Sequence, residues 1–369
     1  MKIVILRNNL KNALDAVSHT LGDASNLPIL KNILIKAVGG KIQICSTDLE
    51  TAVVRGVAGK IIDEGSVTVP FSVFNSVIGN IQNERIDLDS KKMGVLIKTD
   101  NYEAVIQGMN PEDFPIIPKV DKKDEFFEIN GEILRESLNQ VVGAAQISEL
   151  RPEISGILFD VEPGMIKFAA TDSFRLAEKT VYETEFKNNF ERGMKFIVPL
   201  KPIQEFLRIM DGKTPVRIYA VNGQLMIENG DLELISRLIE GQFPDYNPII
   251  PKNLTTEISL DKNELIGALK LASAFTSKNN EVRLKITKDS KVVEVYSSDS
   301  LLGENKYLIP AKISGEPVEV VFNWRFLLDG LRNLESDSAN IGLQGDIRPS
   351  VIKTTADASF FYIIMPIKS

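Results

Sequence analysis

One pattern occurs three times along this chain, and that repeat narrows the available folds more than any other feature. A Thr/Ser-Asp pair ends a strand-like run at Thr47-Asp48, Thr171-Asp172 and Ser298-Asp299. The pairs stand 124 and 127 residues apart, a nearly constant period. Each copy opens on a strand followed by an amphipathic helix. Leu10, Ala13, Leu14, Val17 and Leu21 share one helical face in the first copy, with Asn8 or Asn9 as its expected cap. Leu134, Leu138, Val141, Val142 and Ala145 do so in the second, and Leu265, Ala268, Leu269 and Ala272 in the third. Asp261 and Glu264 have the spacing of a capping box, with Asp in place of Ser or Thr.

A second helix is expected in every copy. Val69-Pro70 opens one over 71–81, Val198-Pro199 opens one over 200–210, and Val321-Phe322-Asn323 opens one over 324–334. Proline suits a helix start because its missing N–H has no partner there in any case. Ile203, Phe206, Leu207 and Met210, and again Trp324, Leu327, Leu328 and Leu331, keep the helical spacing. The first two copies close on Asp113-Phe114-Pro115-Ile116-Ile117-Pro118 and on Phe243-Pro244-Asp245-Tyr246 with Pro248-Ile249-Ile250-Pro251. Such segments read as extended linkers, since proline stops both helix and ladder. Domains over 1–118, 119–251 and 252–369 follow. Elsewhere apolar and polar residues alternate, as in Lys41-Ile42-Gln43-Ile44 and Val216-Arg217-Ile218-Tyr219, which suits half-buried antiparallel strands. The expected class is α+β, three copies of two helices packed on antiparallel sheet.

Composition bounds the function. Charged residues make up 25% of 369, with a formal charge of −7, which argues against simple coating of nucleic acid unless a basic stripe hides inside an acidic whole. Cys45 is the single cysteine, so neither an internal disulfide nor a cysteine zinc site can form. Arg7 interrupts the opening apolar run too early for a signal-peptide core, and no stretch has the length of a membrane span, so a cytoplasmic protein is expected.

Several motifs in order resemble the bacterial beta sliding clamp family. They are Leu27-Pro28-Ile29-Leu30, Thr47-Asp48-Leu49-Glu50, Asp113-Phe114-Pro115, Ala170-Thr171-Asp172-Ser173-Phe174-Arg175-Leu176-Ala177, Phe243-Pro244-Asp245-Tyr246 and Tyr362-Ile363-Ile364-Met365-Pro366-Ile367. The resemblance runs from Met1 to Ser369. It implies three tandem clamp-fold domains, a head-to-tail homodimer forming a six-domain ring, and double-stranded DNA threaded through it without sequence specificity. It also implies as partners the catalytic subunit of DNA polymerase III, a clamp loader and other proteins carrying a clamp-binding motif. No cofactor and no metal are implied.

In that family a client pocket lies between the second and third domains. Carried over by position, its wall would comprise Ile154, Thr171, Ser173, Phe174, Arg175, Leu176, Pro244, Ile249, Ile347, Ile363, Met365, Pro366 and Ile367. Clients offer an extended peptide with Leu and Phe anchors, each worth about 1.5–3 kcal/mol when buried, less what ordering the peptide costs. The family often has Gly-His where this chain has Ser173-Phe174, and an arginine where it has Ala24-Ser25-Asn26. Twelve helices around a ring at about 8–10 Å spacing and about 5 Å radius leave a hole of roughly 25 Å, wide enough for a duplex. Candidates to face it are Arg7, Lys11, Arg135, Lys201, Arg208, Lys262, Lys270, Lys278, Arg325 and Arg332. Ile106 and Phe275 are candidates for the dimer contact.

Two other classes compete. A hydrolase or transferase would need its base, yet His19 is the only histidine, and nucleophile elbow, phosphate loop and dinucleotide fingerprint are all missing. Carboxylates abound, but no motif marks an acid–base pair. Asp48, Glu50, Asp172 and Asp299 are of a type to hold a metal, but their equivalent places in three repeats point to turns. A peptide-binding scaffold without a DNA role would share the pocket but not the ring.

Overall fold

The computed structural model describes every residue except 23–26, 92, 120–124, 277–278, 288–290 and 369. Two compact units emerge. The first spans 1–134, 185–190 and 201–238, and the second spans 135–184, 191–200 and 239–369.

Every helix begins where a strand ends. The described helices are α1 (Arg7–Val17), α2 (Phe71–Asn80), α3 (Gly131–Val142), α4 (Leu200–Ile209), α5 (Lys262–Ala272) and α6 (Trp324–Arg332). In α1, Leu10, Ala13, Leu14 and Val17 are buried, and in α5 Leu265, Ala268, Leu269 and Ala272 are buried at the same spacing. One stripe of each helix therefore faces sheet: α1 packs on strands Lys41–Thr47 and Thr51–Val57 and on α2, while α5 packs on Val292–Asp299, Gly303–Gly315 and α6. Leu21 and Ala145 lie beyond the ends of their helices. Asp261 caps α5 as its spacing suggests, accepting the Glu264 amide at 2.7 Å.

The expected Asn cap of α1 is a correction. The strand Lys2–Leu6 stays paired through Leu6↔Arg85, and the Arg7 amide donates to Glu84 O at 2.7 Å. The helix thus starts directly at the end of a paired strand, Leu6 sits at the cap without a side-chain bond, and Asn8 and Asn9 fall inside the first turn.

Among the described residues three antiparallel sheets carry the helices. A five-stranded sheet in the first unit runs Gly59–Asp63, Lys2–Leu6, Arg85–Lys91, Gly94–Lys98, Glu103–Gln107. A nine-stranded sheet runs Phe186–Asn188, Phe126–Ile129, Val216–Val221, Gln224–Asn229, Leu232–Arg237, Thr51–Val57, Lys41–Thr47, Asn32–Val38, Gly65–Pro70. In the second unit a twelve-stranded sheet runs Met194–Pro199, Gly156–Glu162, Met165–Thr171, Arg175–Tyr182, Phe360–Ile364, Ser350–Lys353, Ser338–Leu343, Thr256–Asp261, Gly303–Gly315, Val292–Asp299, Glu281–Ile286, Val318–Asn323.

The two larger sheets each join strands from successive repeats. Leu232–Arg237 pairs with Thr51–Val57 in the first unit, and Phe360–Ile364 pairs with Arg175–Tyr182 in the second. Under each seam an aromatic residue from the linker is buried. Phe114 joins the cluster of Ile29, Cys45, Ala52 and Ile235, and Tyr246 joins that of Leu158, Ala169, Leu176 and Ile363. Burial pushes the Cys45 thiol up to about 12, so it behaves as a small apolar residue.

The helix starts also carry a repeated device. Arg7, first in α1, donates from Nε and Nη2 to the carbonyls of Ile78 and Gly79 at 3.3 and 2.9 Å, at the end of α2. Lys262, first in α5, donates from Nζ to Leu334 O at 2.9 Å, just past α6. Each places a cation where a partner helix ends in unpaired carbonyls. In the second repeat that place belongs to Gly131, where a Cβ would come within 2.5 Å of Thr214 O and 2.7 Å of Gly212 O. Gly131→Ala should therefore destabilise the protein by about 2 kcal/mol through overpacking. Gly267→Ala should stabilise it by about 0.5–1 kcal/mol, because Gly267 lies inside α5 with nothing within 4 Å of its Cβ position. Thermal denaturation of the two variants checks the opposite signs.

Candidate peptide cleft and basic helix faces

The site is built on the turn after strand Met165–Thr171. Thr171 Oγ1 donates to Arg175 O at 2.6 Å and accepts the Ser173 amide at 3.1 Å. Asp172 Oδ1 accepts the amides of Phe174 and Arg175 at 2.9 and 3.0 Å. The first repeat has the same wiring: Thr47 Oγ1 donates to Thr51 O, and Asp48 Oδ1 accepts the amides of Glu50 and Thr51 at 3.1 and 2.7 Å. In the third, Asp299 accepts the amides of Leu301 and Leu302 at 2.9 and 3.2 Å. These carboxylates are turn formers, which accounts for their periodicity. The turns also force Leu49 and Ser173 to φ of 77° and 78°, the left-handed region that side chains other than glycine's resist.

Beside the second turn lies a cleft of about 180 Å³ lined by Arg151, Thr171, Ser173, Phe174, Arg175, Leu176, Pro244, Asp245, Tyr246, Ile249, Ile363 and Met365. Its wall is assembled by the seam. Arg175 pairs with Ile364 and Leu176 with Ile363, and past the strand end the Met365 amide donates to Phe174 O at 2.8 Å. Leu176 and Ile363 are buried, whereas Phe174 is 62% exposed.

Arg175 anchors the polar side. Its Nε donates to Asp172 Oδ2 at 2.9 Å, its Nη1 donates to Asp329 Oδ2 at 2.6 Å, and its guanidinium lies 4.3 Å from the centroid of the Phe326 ring. Burial works to lower its pKa, but Tyr362, Asp329 and Asp172 outweigh that, and the group is held above its ordinary value. Tyr246 donates to Glu178 Oε2 at 2.5 Å, and its phenol is pushed up by burial and then by that carboxylate. Ser173 accepts from Arg151 Nη1 at 2.8 Å, and Arg151 Nε donates to Glu153 at 3.1 Å.

Of the wall residues expected from sequence, Thr171, Ser173, Phe174, Arg175, Leu176, Pro244, Ile249, Ile363 and Met365 line one cleft. Four do not. Ile154 is buried in the turn Pro152–Ile154, and Ile347 is exposed outside the lining. Pro366 is buried and Ile367 donates its amide to Val321 O at 2.8 Å, so both dock the chain end. Arg151, Asp245 and Tyr246 line it without having been singled out as wall residues. Tyr246 sits in a motif that marked only the linker. Arg151 is brought in by the Ser173 bond, which no local pattern announces.

The basic candidates separate by environment. Arg7 and Lys262 are committed to helix-end carbonyls. Lys201 is exposed but pairs with Asp48 at 2.8 Å. Arg208 pairs with Glu205 at 3.2 Å, and its Nη1 is 2.9 Å from His19 Nδ1. Arg135 is half-buried on α3. Arg325 is exposed, 5.4 Å from the Trp324 ring centroid. Lys11, Lys270 and Arg332 are exposed. Lys278 lies outside the described residues, as do Ala24, Ser25 and Asn26. For the dimer contact, Ile106 is a correction: it is 6% exposed, because alternation along the edge strand Glu103–Gln107 turns it inward and turns Val105 outward. Phe275 is half-buried at the end of the turn Ser273–Phe275. No helix among the described residues is long and apolar enough to cross a membrane.

Comparison with known proteins places this geometry in context. Models of the DNA polymerase III beta subunit match in three parts, the N-terminal domain at residues 1–118, the central domain at 128–245 and the C-terminal domain at 247–368. The chain is 26% identical over 377 residues to the beta sliding clamp of Synechococcus elongatus, covering 100% of this chain and 99% of that one. It is 25% identical over 380 residues to that of Staphylococcus aureus, covering 100% of both. Among solved structures, the DNA polymerase sliding clamp from Bacillus subtilis superposes with a TM-score of 0.94 at 24% identity, covering 100% of this chain and 99% of that one. The DNA polymerase III beta subunit from Thermotoga maritima does so with 0.90 at 25% identity, with the same coverage.

Equivalent aspartates should respond unequally to loss of charge. Asn in place of Asp keeps an oxygen for the turn amides but no longer neutralises a neighbouring cation. The Asp172 and Arg175 side chains are 2% and 11% exposed, so Asp172→Asn should cost about 2–3 kcal/mol by leaving a buried guanidinium half-paired. Asp48 pairs with the exposed Lys201, so Asp48→Asn should cost no more than about 0.5 kcal/mol. Urea unfolding of the two variants tests the difference.

Proposed function

Because the chain belongs to the family of DNA polymerase III beta subunits, we propose that it is a non-catalytic sliding clamp, two copies of which close head to tail around duplex DNA. Each copy would contribute three domains, over 1–118, 119–251 and 252–369, to a six-domain ring in the cytoplasm. The ring would hold the replicative polymerase's catalytic subunit on DNA and admit a clamp loader and other clients in turn. No cofactor or metal enters this reading. The observation that carries it is the cleft at the seam, where Phe174, Leu176, Pro244, Ile249, Ile363 and Met365 offer apolar wall to an extended peptide. A few such anchors, less the cost of ordering a peptide, give modest affinity suited to partner exchange.

DNA contact in this reading comes from the exposed cations Lys11, Lys270, Arg325 and Arg332, with Lys201 and Arg208 shared with carboxylates. So diluted a set makes only a few phosphate contacts at once, which favours sliding over gripping and leaves retention to ring closure. The proposed dimer contact uses the open edge of Glu103–Gln107, with Val105 outward, and Phe275.

The test is topological. Clamp loaded on nicked circular DNA should co-elute with it in gel filtration and be released when the circle is cut once. Equal retention on circular and linear DNA would overturn the ring. Peptide binding together with such topology-independent retention would leave a peptide-binding scaffold in its place. Met365→Ser is the variant for the peptide arm, because removing the chain end would also break the Ile367–Val321 bond. It should weaken peptide binding about tenfold with the fold intact by circular dichroism.

A further inference from the structure

The terminal rungs of the two seams match in backbone. The Arg237 amide donates to Glu50 O at 3.2 Å in the first, and the Met365 amide donates to Phe174 O at 2.8 Å in the second. Further inside the sheet one side chain breaks the match. Val54 and Glu178 hold the same register, opposite Cys45 and Ala169 on the preceding strand. Val54 belongs to the apolar cluster that takes in Phe114, with Ile117 packed against it. Glu178 is a carboxylate only 5% exposed. Its Oε2 accepts from the Tyr246 hydroxyl at 2.5 Å and its Oε1 accepts from the Thr180 hydroxyl at 3.4 Å, with Lys167 Nζ 3.8 Å away.

Burying a carboxylate costs free energy that an apolar residue in the same place does not. What the carboxylate adds is direction: an apolar contact survives a small slide, whereas a hydroxyl that slides loses its bond. The segment held by this bond has few other polar ties. Among the described residues the remaining hydrogen bonds of 240–254 stay inside that segment, from Ile249 to Tyr246 O, from Ile250 to Asn247 O and from Asn247 to Asp245. The same segment supplies Pro244, Asp245, Tyr246 and Ile249 to the cleft, while Glu178 lies outside the lining.

We propose that Glu178 is a positioning residue for the cleft: buried behind the wall, it fixes Tyr246 and through it the linker side, so that the cleft is formed before a peptide enters. This rests on the peptide-binding reading above. A wall already in place spares the complex the cost of ordering it, and a wall in place for only part of the time lowers the apparent affinity by that fraction.

The experiment titrates fluorescent Gln-Leu-Ser-Leu-Phe against the intact chain, Glu178→Gln, Tyr246→Phe and the double variant Glu178→Val with Tyr246→Phe. Urea unfolding and amide hydrogen exchange are followed on the same proteins. Glu178→Gln keeps an oxygen for the hydroxyl and should bind within about twofold of the intact chain. The double variant copies the apolar first seam and removes both partners together, so its urea midpoint should stay level or rise. Its peptide affinity should nonetheless fall about three- to tenfold, with exchange at the Ile249 and Ile250 amides faster by a similar factor. A purely structural role would move affinity and stability together. Tyr246→Phe, which leaves Glu178 with Thr180 and Lys167, should lose affinity to the same extent and decides the matter should the double variant not fold. Binding and exchange that match the intact chain in the Tyr246 variants overturn the positioning role and leave the cleft standing. Failure of the intact chain to bind the peptide overturns the cleft reading and this inference with it.

Discussion

Backbone pairing across the repeats is the constraint on which the rest of the structure depends. A strand at a sheet edge leaves a row of N–H and C=O groups open, and an isolated repeat would leave such an edge at Thr51–Val57 or Arg175–Tyr182. The chain closes both with a strand from the next repeat, Leu232–Arg237 and Phe360–Ile364. The linker must then cross the seam, and its aromatic residue, Phe114 or Tyr246, is buried under it. Where the second seam ends, the linker, the Asp172 turn and the chain end converge, and the cleft is the space they leave. Its position is a by-product of edge closure, which is why side chains from three distant stretches of sequence share one wall.

The same closure occurs in both units, yet the second seam carries an apolar rung where the first carries an exposed ion pair. Backbone does not account for the difference, since the Asp turns and the terminal rungs match. Side chains do. The first seam puts Glu50 against Arg237, an exposed pair worth little in stability but well hydrated. The second puts Phe174 beside the carbonyl-to-amide bond with Met365 and replaces the exposed pair by the half-buried Arg175–Asp172–Asp329 group. The repeated backbone supplies the frame, and the side chains at one rung decide whether the seam is solvated or apolar.

Much of this was legible in the chain itself. The helix faces follow because one buried stripe at 3.6-residue spacing is a local signal, and the Asp turns follow because an aspartate bonding its own backbone is local too. The cleft residues from the Thr171 turn and Met365 were reached through ordered motifs. What failed was decided at long range. Asn8 and Asn9 look like caps in sequence, but the paired strand running to Leu6 leaves no turn for them. Ile106 is apolar on an edge strand, and which of Val105 and Ile106 faces outward depends on the register with Gly94–Lys98, where Val95 faces Ile106. Arg151 enters the cleft through one bond to Ser173, a residue 22 positions away.

The basic residues carry the same lesson into function. Arg7 and Lys262 lie on helices expected to face a duplex, and a count of positive charge would assign them to phosphate. Their geometry engages them with the carbonyl ends of α2 and with Leu334, where a cation offsets unpaired backbone oxygens. Removing either would weaken the packing of the helix pair it joins. In the proposed reading the exposed cations Lys11, Lys270, Arg325 and Arg332 share their helices with Asp15, Glu264 and Asp329. On the proposed ring that dilution is useful: a contact set large enough to bind tightly at physiological salt would impose a barrier at each step along the duplex, and a closed ring has no need of it.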